Sequence, residues 1–188
     1  MKLSEHKELK LAILALPPKE KDKLLLGLVA KDKVLTEHLH FLLLEDESNL
    51  RDRIEVIKAD ILQIMQNLNA NKKRNAKDVL ASLRKLAKQV NHNLRVTKAA
   101  FEDVDLRIFL FNHTPMEFKS NMFSAHKNHE QMFSIYFIKS TLITLRKFYK
   151  LHEDLQFDLR DEMNKLLAKI YSGSAKEIAF DLGLPEQI

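Results

Sequence analysis

Apolar residues recur at three- and four-residue steps along almost the whole chain, the spacing that lines up one face of an α-helix. The clearest run is Leu50, Ile54, Ile57, Ile61, Ile64 and Leu68, with steps of 4, 3, 4, 3 and 4, a heptad-type seam. A second seam, Leu80, Leu83, Ala87, Val90 and Leu94, follows across the polar stretch NLNANKKRNAK. Two seams of matched length across a short polar connection predict an antiparallel helical hairpin. Ser48 is the expected N-cap of its first helix, because a serine oxygen can accept a free first-turn amide. Thr97 is the expected cap of a further helix carrying Phe101, Val104, Ile108 and Phe111, although the end of that segment, RIFLFN, also fits a strand.

Upstream, a helix is predicted from Ser4 to about Leu16, ended by Pro17 and Pro18. A second starts near Lys19 and carries Leu24, Leu25, Leu28 and Val29. A third covers about Lys33 to Glu45, with Leu35, Leu39, Leu42 and Leu43 on one face. Downstream, Thr114 and Pro115 read as N-cap and first-turn proline of a helical pattern that runs to about Lys150. Within it, Ile135, Phe137, Ile138, Leu142, Ile143, Leu145 and Phe148 point nearly all round the helix, so the Met132–Phe148 segment is expected at the centre of the fold. Another helix covers Glu153 to Tyr171. Ser174 with Glu177 reads as a capping box for a short last helix, with Gly183 and Pro185 as its stop.

Composition supports the helical reading. The 188 residues include only 3 Gly and 4 Pro, too few for the tight turns of a sheet-rich fold. The fold class read from the pattern is all-α: a single domain, residues 1–188, of seven to nine helices, arranged as a bundle or a short α–α superhelical array. With no Cys, disulfides, thiolate metal sites and Cys nucleophiles are excluded. Glu5 and Glu8 sit where an export signal needs positive charge, and no window approaches the ~18 apolar residues of a membrane span. A cytoplasmic protein with no membrane partner is expected.

Charge changes the picture more than composition does. Between Lys72 and Lys98 lie nine basic residues and one acid, Asp78, so that segment carries +8 and the rest of the chain −3. Lys77, Arg84, Lys88, Arg95 and Lys98 form one stripe on a helix, with Asn91 inside it and Lys73 and Arg74 just ahead. The stripe lies about 120° from the Leu80–Leu94 seam, which predicts that one face packs while another presents cations to solvent. Such a rod can track phosphates. The segment holds no aromatic residue, which argues against base stacking. An acidic stripe, Asp154, Asp158 and Asp161, occupies one face of the helix after Leu151, softened by Lys165 opposite Asp161. It is a candidate partner for the basic stripe, either in this chain or in a second copy, giving a homodimer.

The stretch SAHKNHEQMF places His126 and Glu130 four residues apart, a helical spacing for two metal ligands. No further His pair at helical spacing exists to complete a helical metal centre, so these two remain weak metal candidates and His129 reads as packed among apolar neighbours. No Gly-rich phosphate loop, nucleophile elbow or His-Glu-x-x-His motif occurs, no catalytic residue is assigned and no cofactor is expected. The functional expectation is a non-enzymatic protein-interaction domain. The alternatives are a nucleic-acid binder using the basic face, and a metal-dependent helical bundle.

Overall fold

The computed structural model describes residues 5–71, 74–118 and 124–188, the side chains of residues 124–127 excepted. The described residues are all-α: nine helices and no strand. RIFLFN is helical. The chain divides into two compact units, Met1–Glu45 and Asp46–Ile188.

The first unit holds α1 (Lys7–Ala15), α2 (Pro18–Val29) and α3 (Lys33–Leu44). Pro17 ends α1 and precedes the first-turn proline of α2. Asp32 caps α3 by accepting from the amides of Val34 at 2.9 Å and Leu35 at 3.1 Å. The Thr36 hydroxyl donates back to the Val29 carbonyl at 2.9 Å and ties the start of α3 to the end of α2. None of the three helices has a buried residue.

The second unit holds α4 (Glu47–Ala70), α5 (Ala76–Thr97), α6 (Ala100–His113), α7 (Ser124–Phe148), α8 (Glu153–Tyr171) and α9 (Lys176–Asp181). Both predicted seams are on the inside. Ile54, Ile57 and Ile61 are buried from α4, with Met65 extending the row, and Leu80, Leu83, Ala87 and Val90 are buried from α5. α4 and α5 pack together, as the matched seams predict. The central helix is α6, not α7. It packs against α4, α5, α7 and α8, and Val104, Leu106, Ile108, Leu110 and Phe111 are buried on its several sides. α7 keeps a solvent side: Met132 is 45% exposed and Ile143 50%. Its other face fits the core through rings. Phe133 and Phe137 have centroids 5.6 Å apart, and Phe137 meets Phe111 edge-on at 5.2 Å.

Several caps differ from the sequence reading. Asp46, not Ser48, caps α4, in a capping box with Asn49. Hydrogen bonds from the Ser48 hydroxyl and then from the Asn49 and Ser48 amides hold the Asp46 carboxyl below its usual range. Thr97 is the last residue of α5. Its hydroxyl donates to the Asn93 carbonyl at 2.9 Å, Lys98 takes the left-handed conformation at φ 59°, and α6 starts without a side-chain cap. Thr114 ends α6 by donating to the Leu110 carbonyl at 2.8 Å, and the chain is not helical from Pro115 to Phe118. A threonine hydroxyl that donates to the carbonyl four residues back is turned toward the preceding helix, and the amide that Thr97 Oγ1 still accepts from, Ala99 at 3.3 Å, lies ahead of the first turn of α6. Ser174 makes no capping bond to α9. The stop at Gly183 holds: at φ +71° the Gly183 amide bonds the Phe180 carbonyl and the Leu184 amide bonds the Ala179 carbonyl, a Schellman motif.

Candidate functional site

The seam of α5 turns its cationic stripe outward. Lys77, Arg84, Lys88, Arg95 and Lys98 are all exposed, and none forms an ion pair among the described residues. The Arg84 guanidinium lies 5.0 Å from the Tyr136 ring centroid, a cation–π contact that steadies it against α7. Lys73 lies outside the described residues. Arg74 is engaged internally. Its Nε donates to the Glu117 carbonyl at 2.7 Å and one Nη to the Asn69 carbonyl at 3.2 Å, so it braces the α4–α5 connection.

Asn91 lies on the same stripe but reaches across to α6. Its Oδ1 accepts from Arg107 at 2.5 Å. Arg107 in turn donates from Nε to both carboxylate oxygens of Asp103, at 3.0 and 2.9 Å, and Lys147 of α7 donates to Asp103 at 2.6 Å. Asp103 and Arg107 are buried, and Lys147 is the wet end of the group. This network joins α5, α6 and α7 and was not anticipated from the sequence. Its one local signal is Asp103 and Arg107 four apart on a helix.

On α8, Asp154, Asp158 and Asp161 are exposed. Lys165 turns to Glu162 at 3.5 Å rather than to Asp161. Among the described residues no ion pair joins this stripe to the α5 stripe, so the two charged faces do not neutralise each other within the unit.

The His126 side chain lies outside the described residues. Glu130 is half-buried and lines a polar cleft of about 780 Å³ with Arg74, Asn112, His113, Lys169 and Ser174. Among the described residues no group of three or more His, Asp or Glu is placed to hold a metal ion. In the cleft wall, Lys169 donates to the carbonyls of Phe111, Asn112 and Thr114 at 3.1, 2.8 and 2.5 Å and so closes the C-terminal end of α6. Burial pushes its amine down to about 8. The three donors of its ammonium are matched by three carbonyls, which fix the side chain in the cleft wall. Asn112 donates through Nδ2 to the Glu162 carbonyl and carboxylate, both at 3.0 Å, and its buried Oδ1 has no partner among the described residues.

The largest departure from the sequence reading is in the first unit. Of the leucines named on its second and third helices, Leu24, Leu25, Leu28, Leu42 and Leu43 are exposed and Leu35 and Leu39 half-buried, and Leu9, Leu11, Leu14, Leu26 and Leu44 are exposed as well. Leu43 and Leu44 reach 71% and 74%. An open groove of about 550 Å³ runs along α2, floored by Leu24, Gly27 and Leu28 and edged by Glu20, Lys23 and Lys31. Periodicity alone could not reveal this surface, because a spacing of 3.6 marks a face without saying what covers it.

No family model, curated protein or solved structure matches the chain. No helix among the described residues is long and apolar enough to cross a membrane.

Proposed function

We propose that this protein is a non-enzymatic protein-interaction module. The leucine-rich helices of its first unit are the binding surface. One observation carries the reading: a unit with leucines on all three helices buries none of its described residues. Contiguous exposed apolar surface raises the free energy of a soluble protein by roughly 25 cal/mol per Å² left in water, and such surfaces mark interaction sites. In the cleft, the lysine is engaged by three backbone carbonyls, a structural role that fits this reading.

A nucleic-acid role for α5 is the second reading, favoured by five exposed cations that form no ion pair among the described residues. One comparison separates the two. Leu25→Asp/Leu43→Asp and Arg84→Glu/Lys88→Glu variants of the full chain are assayed for co-purifying protein and for duplex DNA binding. Under the interaction reading, the leucine variant loses its associated protein, the basic variant keeps it, and DNA binding at ~150 mM salt is negligible. Sub-micromolar DNA affinity with a log–log salt slope of about −3 to −4, abolished in Arg84→Glu/Lys88→Glu, would replace the interaction reading with the nucleic-acid one.

A further inference from the structure

The α2 groove has an internal symmetry that selects its own occupant. Glu20, Leu24, Gly27 and Lys31 follow steps of 4, 3 and 4, one seam along α2 and the turn after it. The seam is apolar in the middle, acidic at one end and basic at the other. Gly27 sits inside the helix, where glycine is unfavourable, and nothing lies within 4 Å of where its Cβ would be. Neither its backbone conformation nor any neighbour in the described structure requires a glycine there. A missing side chain in the floor of a groove, beside Leu24 and Leu28, admits the close approach of another helix.

We propose that the α2 groove pairs with the α2 groove of a second copy of this chain, antiparallel, about a two-fold axis between Leu25 and Leu26. This rests on the interaction reading above and names its partner. In that register Leu24 projects into the space over the partner's Gly27, and the partner's Leu24 does the same in return. Glu20 faces the partner's Lys31 at both ends. Lys23 lays its aliphatic stem across the partner's Leu28. All six side-chain positions that this pairing uses line the groove. A two-fold contact requires that one patch complement itself, and this one does. The parallel arrangement fails the same requirement. It sets Glu20 against Glu20 and Lys31 against Lys31, and it stacks two glycines over an unfilled gap. Residues 1–45 carry eight Lys and seven Asp or Glu, so no large net charge opposes the approach of two copies.

The test is sedimentation of the full chain over a wide concentration range, with Glu20→Lys, Lys31→Glu and Gly27→Leu variants. The wild type is expected to form a concentration-dependent dimer. Each charge reversal sets like charges together twice and weakens the dimer by about tenfold. Gly27→Leu abolishes it, because the added side chain occupies the space meant for the partner's Leu24. The decisive arm mixes the Glu20→Lys chain with the Lys31→Glu chain. At one end the introduced lysine of the first then faces the introduced glutamate of the second. At the other end the unchanged Lys31 of the first faces the unchanged Glu20 of the second, so a heterodimer of near wild-type affinity returns. A monomeric wild type, or a dimer indifferent to both reversals, overturns the pairing. If the pairing falls while Leu25→Asp/Leu43→Asp still strips an associated protein, the interaction reading stands with a different partner. If the leucine variant also changes nothing, both fall.

Discussion

The two units of this chain use the same leucine-rich helical pattern to opposite ends. In residues 46–188 the three- and four-residue spacing leads inward, and Ile61, Leu83, Leu106, Phe137 and Leu167 are shut off from water. In residues 1–45 the same spacing leads outward, and Leu26, Leu43 and Leu44 are among the most exposed large side chains of the molecule. Length accounts for much of the difference. The helices that build the core of the second unit run to 24, 22, 14, 25 and 19 residues. Those of the first run to 9, 12 and 12, near or below the ~12–15 residues at which a helix alone is marginal. A unit of that size also lies close to the ~40-residue limit below which a chain seldom closes a core unaided. Amphipathicity therefore says which side of a helix wants cover. Whether the cover comes from the same fold or from another molecule depends on how much chain is available to supply it.

The largest effect expected from this contrast comes from placing a carboxylate in each unit. Ile138 is fully buried, and Ile138→Asp puts an unpaired charge into the core at a cost of several kcal/mol, comparable with a total stability of ~5–15 kcal/mol. The main unfolding transition should disappear. Leu43→Asp meets water instead, and the same transition should move by less than about 0.5 kcal/mol. Thermal unfolding followed by circular dichroism measures both. Equal losses in the two variants would show that the leucines of the first unit are core residues after all.

That outcome bears on how far the sequence could be read. The α4 and α5 seams, the Glu153–Tyr171 helix and the Gly183 stop were legible because each depends on spacing or backbone conformation within one segment. The outward turn of Lys77, Arg84, Lys88, Arg95 and Lys98 was legible for the same reason: it follows from the seam on the opposite side. The roles of Arg74 and Asn91 were not, because Glu117 and Arg107 come to them from other parts of the chain. The caps at Thr97 and Thr114 were misread because a threonine hydroxyl serves the helix behind as readily as the helix ahead. The central place of α6 was hidden by its charges. Asp103 and Arg107 give that helix a polar look on a wheel, yet each neutralises the other inside the protein, whereas α7 looks apolar all round and still leaves Met132 and Ile143 in water.

The buried charges supply a second, smaller contrast, between a polar group held in the core and polar groups left on a surface. Asp103 is the only anion touching Arg107 and Lys147 among the described residues. Asp103→Ala strands the buried Arg107 guanidinium, and breaking a buried pair from one side costs about 3–5 kcal/mol. Replacing both partners, in Asp103→Leu/Arg107→Met, should cost less than the single change, because the stranded guanidinium is gone and Lys147 can turn to solvent. Exposed Asp158→Ala should sit within about 0.5 kcal/mol of wild type. Urea denaturation of the four proteins gives the ranking. A single variant at Asp103 that unfolds at the wild-type midpoint would show that α6 is held centrally by its apolar contacts alone.

The smallest effect separates the units at their glycines. Gly183 is at φ +71°, where a Cβ is strained against its own carbonyl, and its amide and the next one close the end of α9. Gly183→Ala should cost about 1 kcal/mol in the unfolding of the second unit. Gly27 is in ordinary helical backbone with open space above it, so Gly27→Ala relieves the entropy of a mid-helix glycine and should stabilise α2 by up to ~1 kcal/mol. Amide exchange across residues 18–29 reads that gain as slower exchange in the monomer. The sign is what matters. A glycine in ordinary helical backbone, with no turn and no neighbour among the described residues to require it, leaves room for another helix to come close, and that room is what the proposed pairing uses. Faster exchange in Gly27→Ala would mean that the isolated α2 already depends on the missing side chain, and the case for a partner helix approaching there would lose its starting point.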